Sequence, residues 1–175
     1  MGLHSIQSWG KKLKQQIHIR KIRNSDSDWI TEVLNESWGS SRVVSRGVLH
    51  QADRLPGLVA EVDEKREGLL TFNVKNNMLE IVTLNVIKQR EGIGRTLIDR
   101  VVNLAASYGC SRVWVITTND NTQAIEFYKK VGFRIVAIHK DAMNESRKLK
   151  PEIPEFGIDG IPIEDEIEPE IFLRE

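Results

Sequence analysis

The sequence is poor in cysteine and in aromatic residues: Cys110 is its single cysteine, and aromatic residues occupy 6% of its 175 positions. One cysteine excludes a disulfide within the chain and is typical of a reducing compartment. The sequence also lacks an apolar run long enough to span a bilayer and an apolar N-terminal segment of the signal-peptide kind. We therefore expect a cytoplasmic protein that has no membrane partner.

Neither sign of charge is in excess, since 25 basic and 25 acidic residues give a formal net charge of zero. Nucleic-acid binding is therefore not favoured by the overall charge. The charge is nevertheless uneven, because residues 1–16 contain lysines and no acid, whereas residues 151–175 are rich in glutamate. We predict a flexible basic arm over residues 1–16 and one folded domain over residues 17–175.

The hydrophobic pattern predicts an α/β domain. Alternating or continuous apolar runs predict strands, and apolar stripes at a spacing of three to four residues predict helices. The predicted strands cover residues 17–22, 58–62, 69–74, 79–86, 112–117 and 133–138, and the predicted helices cover residues 28–37, 93–108, 122–131 and 141–150. The stretch 42–56 is predicted to be a loop with a short extended piece. The helix over residues 93–108 lies between two strands, which predicts that 79–86 and 112–117 run parallel.

The segment QREGIG, Gln89 to Gly94, lies between the first strand and the helix of this crossover. Its glycines remove side chains where the free amides of a helix N-terminus could approach an anion, which indicates a phosphate site; a simple tight turn is the alternative. The dinucleotide-binding pattern needs a further glycine where the sequence has Leu97, and the nucleotide-triphosphate loop needs a lysine where it has Arg95. Neither of these two phosphate loops fits.

A third pattern does fit. Gln89-x-x-Gly92-x-Gly94, after an apolar strand and at the start of a helix, resembles the pyrophosphate-binding motif of the GNAT superfamily of acetyl-CoA-dependent N-acetyltransferases. The segment NTQAIEFYKKVGF, Asn121 to Phe133, is similar to the Asn-x-x-Ala-x-x-Phe-Tyr-x-x-x-Gly-Phe block of that family. The resemblance covers about residues 58–138. It implies a mixed central sheet of about six to seven strands, flanked by helices, with a pair of parallel strands that splay apart at the cofactor site.

The resemblance implies acetyl-CoA as co-substrate, bound where the two parallel strands separate. The pantetheine arm would pair with the backbone of Leu84, Asn85 and Val86. The pyrophosphate would lie on the turn and the start of the helix, at Gln89, Arg90, Glu91, Gly92, Ile93, Gly94, Arg95 and Thr96. Asn121 would either bond the cofactor or serve only as a helix cap. No metal is expected, because the histidines show no ligand spacing.

The resemblance also implies direct transfer of the acetyl group to a primary amine of a small molecule or peptide. Glu80, the acid within the apolar strand, is the candidate base, and a glutamate on a solvated strand face is the alternative. Tyr128 is the candidate acid near the thioester sulfur, and simple packing in a helical stripe is the alternative. A rival hypothesis is a non-catalytic domain of the same fold that binds acyl-CoA as a sensor or interaction module.

The acceptor and the assembly state, monomer or homodimer, are left open. A C-terminal loop and an acidic edge strand are predicted over residues 140–175, because Pro169 has no amide to donate to a second neighbour. Four acids share one face of that strand: Glu164, Glu166, Glu168 and Glu170. They could attract a cationic amine or only keep an exposed edge from aggregating. Three other residues could line a pocket for an acceptor that carries a carboxylate: Trp38, Arg42 and Arg46.

Overall fold

The structure is a computed structural model that describes residues 15–89 and 91–173. The strands within these residues are β1 (Ile17–Lys21), β2 (Arg42–Ser45), β3 (Val48–Gln51), β4 (Gly57–Val62), β5 (Lys65–Lys75), β6 (Met78–Val86), β7 (Arg112–Val115), β8 (Thr117–Thr118), β9 (Arg134–His139) and β10 (Glu166–Phe172). The α-helices are α1 (Ser27–Trp38), α2 (Ile93–Ser107), α3 (Thr122–Lys130) and α4 (Ala142–Leu149). The predicted basic arm lies outside the described residues, except for Gln15 and Gln16.

Eight of the strands form one mixed sheet. Its order is β1-β4-β5-β6-β7-β10; β8 continues the line of β7 along β10, and β9 lies on the other side of β10. The pair β6–β7 is parallel, because α2 carries the chain back before β7 begins, and the other pairs of this sheet are antiparallel. With β7 and β8 counted as one, the sheet is seven strands wide, which confirms the predicted mixed α/β fold.

Helices cover both faces of the sheet. Leu97 of α2 packs with Leu79 of β6 in one buried apolar cluster, and Leu34 of α1 packs with Val82 of β6 in a second cluster. Full burial of one such side chain stabilises the fold by about 1.5–3 kcal/mol relative to exposure. Because β6 contributes to both clusters, its position at the centre of the sheet is firmly fixed.

The prediction of a loop over residues 42–56 is wrong in its first part. Strands β2 and β3 form a two-stranded hairpin, joined by Arg46 and Gly47 with φ angles of 47° and 73°. Two consecutive residues with positive φ are what a two-residue hairpin turn requires. Arginine is uncommon at the first of these positions, where asparagine and aspartate are preferred, so the turn signal in the sequence is weak.

The prediction of an acidic edge strand near the C-terminus is also wrong, because β10 is an interior strand. It pairs with β7 and β8 on one side and with β9 on the other. The register with β9 shifts between Glu168 and Pro169, so the missing amide of the proline falls at an irregularity that tolerates it. Glu168 and Glu170 form ion pairs with Arg112 of β7. These two acids are therefore neutralised within the sheet rather than exposed at its edge.

Candidate active site

The parallel strands β6 and β7 pair along only part of their length. The pairing runs from Met78 and Arg112 to Ile81 and Val115, after which the chain of β7 continues into β8 and pairs with β10. Within the described residues, no strand pairs with residues 82–86 on that side of β6. The predicted splayed pair is thus confirmed, and it leaves an open stretch of backbone at the centre of the sheet.

The open edge of β6 presents the backbone that is predicted to hold the pantetheine arm. The amide of Ile87 donates to the carbonyl of Glu67 on β5, so by the alternation of a strand the amides of Leu84 and Val86 point away from β5 and towards the open edge. The backbone amide of Asn85 points towards β5 instead. Its side-chain Oδ1 accepts a hydrogen bond of 3.3 Å from the Trp38 indole. Two of the three predicted residues therefore offer main-chain groups on the edge.

The turn between β6 and α2 begins with a side-chain contact. Gln89 Nε2 donates to the carbonyl of Val86 at 2.7 Å, which closes the chain back on the end of β6. Glu91 is exposed and lies 3.9 Å from the Lys88 ammonium. Arg90, which was also predicted to contact the pyrophosphate, lies outside the described residues.

The backbone conformation and the local packing explain why glycine occupies positions 92 and 94 of this turn. Gly92 precedes α2 with a φ of 77°, which L-residues rarely adopt, and a side chain there would meet nothing within 4 Å. Gly94 lies in the first turn of α2, where a Cβ atom would come within 3.1 Å of the Phe127 ring and 3.5 Å of Val86. Gly94 therefore lets α2 and α3 approach each other, and the space above Gly92 is open to a ligand.

Helix α2 begins a short turn after the open edge of β6 ends. The amide and the hydroxyl of Thr96 both donate to the carbonyl of Gly92, at 3.0 and 2.7 Å, so the amide of Thr96 belongs to the helix. The amides of Ile93, Gly94 and Arg95 come before this first intrahelical bond, as expected of an anion-binding helix start. The amides of Ile93, Gly94 and Arg95 are therefore the ones that the helix itself does not use, whereas the amide of Thr96 is bonded within the helix. The phosphate contacts of the whole turn stay a prediction.

Asn121 caps α3 and also faces the wedge between the separated strands. Its Oδ1 accepts from the amide of Ala124 at 3.0 Å, as predicted for an N-cap. Asn121 also lines a cavity of about 90 Å³ together with Val82 of β6 and Thr117 of β8. The cap occupies only Oδ1, so the side-chain amide can still donate from Nδ2.

Tyr128 lies in the apolar core beneath α3. Its ring packs edge-on against Phe127 and Phe133, with centroids 5.3 and 5.2 Å away. Burial raises the pKa of its hydroxyl far above the ordinary value, so the group stays protonated at any working pH. The geometry agrees with the packing interpretation of this residue, and its protonation state agrees with a hydrogen-bond donor.

Glu80 lies on the opposite side of the sheet from Tyr128. Its neighbours Leu79 and Ile81 belong to the core cluster under α2, so the alternating strand directs Glu80 towards the β2–β3 hairpin. There it lines a cavity of about 220 Å³ with Ser45 and His50 of the hairpin. The alternative interpretation of Glu80, a glutamate on a solvated strand face, does not hold, since Glu80 is 6% exposed.

Three polar side chains around this cavity lack hydrogen bonds within the described residues. Ser45, His50 and Glu80 are 5%, 7% and 6% exposed, and the unpartnered atoms are Ser45 Oγ, His50 Nε2 and Glu80 Oε1. His50 Nε2 lies 3.4 Å from Glu80 Oε2, close enough for an electrostatic contact. A buried polar atom without a partner costs about 1–3 kcal/mol, so three of them around one cavity indicate a polar ligand.

Glu166 of β10 lines the smaller cavity and holds the tip of the hairpin. It is 2% exposed and accepts hydrogen bonds from Ser146 Oγ at 3.0 Å and from the amide of Arg46 at 3.2 Å. Because Arg46 forms the tip of the hairpin, Glu166 fixes that tip over the sheet. Ser45, next along the hairpin, lines both cavities, so the space beside Glu80 is adjacent to the wedge between the separated strands.

Sequence reasoning missed Ser45 and His50. Both lie in the stretch that was assigned to a loop, and His50 was considered only as a metal ligand. A hairpin with Arg46 and Gly47 at its turn would have placed Ser45 and His50 on one face, but their contact with Glu80 depends on tertiary packing. The described residues contain no group of three or more His, Cys, Asp or Glu residues that could hold a metal ion. They also contain no helix long and apolar enough to cross a membrane.

Comparisons with known proteins identify the family that shares this architecture. A family model described as acetyltransferase (GNAT) family matches residues 21–133 of the sequence. The chain therefore belongs to the GNAT acetyltransferase family.

Individual proteins support this assignment. The uncharacterized protein YdhI of Bacillus subtilis (strain 168) is 36% identical over 140 residues, which cover 79% of this chain and 87% of YdhI. The structure of an IAA acetyltransferase from Bacillus cereus ATCC 14579 matches with a TM-score of 0.70 at 25% identity, over 90% of this chain and all of that one. A GNAT family acetyltransferase from Elizabethkingia anophelis with acetyl-CoA bound matches with a TM-score of 0.63 over 90% and 98% of the chains; at 21% identity it shows the fold alone.

Proposed function

We propose that the protein transfers an acetyl group from acetyl-CoA directly to a primary amine. The observation that carries the proposal is the unpaired edge of β6 over residues 82–86, which lies between the separated strands and leads to the start of α2. An extended ligand can pair with such an edge through main-chain hydrogen bonds. Membership of the GNAT family and the acetyl-CoA seen in a protein of the same fold support this identity of the ligand.

In the proposed complex the pantetheine arm pairs with the backbone of Leu84 and Val86. The pyrophosphate lies against the amides at the start of α2, from Glu91 to Arg95, where the helix dipole favours negative charge. The thioester then lies in the wedge near Val82 and Asn121. Asn121 Nδ2 is a donor for an amide carbonyl of the cofactor.

The proposed reaction forms one C–N bond and breaks one C–S bond. The acceptor must first lose a proton, because an alkylammonium has a pKa near ~10.4 in water. Glu80 takes this proton, directly or through water, and the free amine attacks the thioester carbonyl. The tetrahedral intermediate collapses and expels the CoA thiolate, which ends as a thiol by taking the remaining amine proton. The protonated hydroxyl of Tyr128 stabilises the leaving sulfur by a hydrogen bond.

The cofactor step is tested by calorimetric titration with acetyl-CoA, with adenosine 3′,5′-bisphosphate as a partial ligand. We expect saturable binding that weakens in the order wild type, Gly92→Asn, Gly92→Asp. Asparagine and aspartate both tolerate positive φ and have the same shape, so their difference reports charge beside the pyrophosphate. Gly109→Asn is the matched control, because Gly109 follows the other end of α2 with a φ of 72° and open space around it.

Binding that is equal in all of these variants would mean that the QREGIG turn holds no phosphate. Saturable binding without turnover on any amine of a broad panel would instead favour the rival acyl-CoA sensor. Tyr128→Phe separates the roles of the tyrosine: we expect turnover to fall about 10- to 100-fold, the loss of one hydrogen bond to a charged group, with the acetyl-CoA affinity unchanged. Unchanged turnover would leave Tyr128 with packing alone.

A further inference from the structure

The buried side of the cavity beside Glu80 is lined by polar groups that suit a primary amine. Ser45 Oγ and Glu80 Oε1 can each accept a hydrogen bond, and neither has a hydrogen-bond partner among the described residues. His50 Nε2 also makes no hydrogen bond among these residues, although it lies 3.4 Å from Glu80 Oε2, and it can accept when the ring proton is on Nδ1. A primary ammonium carries three N–H donors. The three side chains can therefore satisfy such a head group, and the ammonium in turn removes the cost of leaving them buried and unpartnered.

The mouth of the same cavity has the opposite charge. Arg46 at the tip of the hairpin and Lys75 at the end of β5 both line it, and both are exposed. Arg46 is only loosely engaged, since its guanidinium lies 3.5 Å from Glu166, at the long end of an ion pair. An acceptor with no charge other than its ammonium would meet two cations before it reached Glu80, which disfavours its approach.

The acids of β10 do not alter this charge pattern. Glu168 is paired with Arg112 and His139, and Glu170 is paired with Arg112. Glu166 accepts hydrogen bonds from Ser146 and from the hairpin amide of Arg46. For Glu166, Glu168 and Glu170, the attraction of the acceptor by an acidic ribbon, one of the two sequence hypotheses, therefore has no support in the contacts that they make.

We infer that the acceptor is a small zwitterion, with a primary amine at one end and a carboxylate, phosphate or phosphonate at the other. Its amine lies against Ser45, His50 and Glu80, and its anionic group lies between Arg46 and Lys75. Trp114 and Met78 also line the cavity and suit a short aliphatic linker, and the other lining residues are Val48, Asn73 and Asn76. Because Ser45 also lines the wedge between the separated strands, the amine is next to the proposed position of the thioester. This inference rests on the proposed acetyl transfer to an amine.

The experiment compares amines that differ only in the anionic group. The purified protein and acetyl-CoA are assayed with β-alanine against propylamine, with 4-aminobutanoate against butylamine, and with 2-aminoethylphosphonate against ethylamine, by release of free thiol. We expect kcat/KM to be higher for the zwitterion in at least one pair, by about 10- to 100-fold, as for one hydrogen bond between charged groups.

Variants of the two cations then locate the anionic group. Lys75→Gln and Arg46→Asn remove one charge each, and asparagine is chosen because it tolerates the positive φ of Arg46. Each is expected to raise KM for the preferred zwitterion about tenfold, the lower end of that range. The kcat/KM of the plain amine should rise or stay the same, because the removed cation no longer disfavours its approach. Lys21→Gln is the matched control, since Lys21 is an exposed strand lysine on β1, at the far edge of the sheet.

Equal kcat/KM within every pair, or a preference for the plain amines, would overturn the inference and leave the acetyltransferase proposal standing. A zwitterion preference that survives both Lys75→Gln and Arg46→Asn would also overturn it, because the anionic group would then bind elsewhere. No acetylation of any of these six amines, with acetyl-CoA still bound, would overturn the inference, whereas the proposed function falls only if the broad amine panel fails as well.

Discussion

Two clusters of buried polar side chains differ in how their hydrogen bonds are satisfied. In the first, Asp26 is 1% exposed and accepts from the Arg20 guanidinium at 2.8 and 2.9 Å and from the amide of Arg23 at 2.7 Å. Glu61 binds the remaining face of that guanidinium at 2.7 Å. In the second cluster, around Glu80, each side chain has at least one polar atom with no partner among the described residues.

This difference separates a structural cluster from one that is organised for a ligand. The first cluster ties β1 and β4 to the start of α1, so its hydrogen bonds contribute to folding. In the second cluster the unpartnered atoms belong to side chains that line a cavity of about 220 Å³, so a molecule bound in the cavity can supply their partners. The predictions below test this division.

The largest effect is expected on turnover in Glu80→Gln. Glutamine keeps the shape of the side chain but accepts no proton, so kcat/KM should fall about 100- to 10,000-fold, the usual contribution of a positioned base. The melting temperature should not fall, since the variant removes a buried carboxylate that is incompletely satisfied. Steady-state rates and thermal unfolding measure the two quantities. Glu67→Gln on the neighbouring strand is the control for a change of charge, and a lower melting temperature with normal turnover would make Glu80 structural.

The next effect is on stability, in Asp26→Asn. This change leaves the buried Arg20 guanidinium without its main anionic partner, so the free energy of unfolding should fall by about 3–5 kcal/mol. Urea denaturation at neutral pH measures the loss. Turnover below the melting temperature should be normal, because the cluster lies away from both cavities. A loss under about 1 kcal/mol, the size typical of exposed pairs, would show that the cluster is not the structural one.

The effect of Asp26→Asn should also depend on pH. Hydrogen bonds from the Arg20 guanidinium lower the pKa of Asp26 in the folded protein below its ordinary value. A lowered pKa contributes stability that is complete above the unfolded value, about 3.9, and is lost as the pH falls through the folded value. The difference in unfolding free energy between wild type and variant should therefore be constant near pH 6–7 and shrink below about pH 4. A difference that stayed constant down to pH 2 would contradict this origin.

The parts of the fold that sequence reasoning predicted are those with local signals. The change from strand to helical periodicity around residues 79–108 predicted the crossover, and hence the parallel pair of strands β6 and β7. Asn121 was recognised as a cap because the capping preference depends on only a few neighbouring residues. Such features need no knowledge of distant packing.

The errors have a common physical cause in contacts between distant residues. Pro169 favours an edge strand by its missing amide, but a register shift against β9 allows it an interior place. His50 and Glu80 are thirty positions apart in the sequence, and they meet only because the hairpin folds over β6. The closeness of Gly94 to the Phe127 ring of α3 is another long-range feature that the local pattern does not reveal. Local pattern predicts the elements, but not which of them will share a cavity.

The smallest effect is expected on the free energy of unfolding when a buried hydroxyl is removed. The sign of that change shows whether the hydroxyl is hydrogen-bonded in the free protein. Ser45→Ala removes a hydroxyl that has no partner among the described residues, so the free energy of unfolding should stay the same or rise by up to about 1 kcal/mol. Thr71→Val removes a hydroxyl that bonds Thr83 at 2.7 Å and leaves the second threonine buried and unsatisfied, so it should cost about 1–3 kcal/mol. Urea denaturation of both variants gives the comparison. If Ser45→Ala is destabilising by as much as Thr71→Val, the serine hydroxyl is already hydrogen-bonded in the free protein and has a structural role. If the two changes in unfolding free energy have opposite signs, the result supports a partner that arrives with the acceptor.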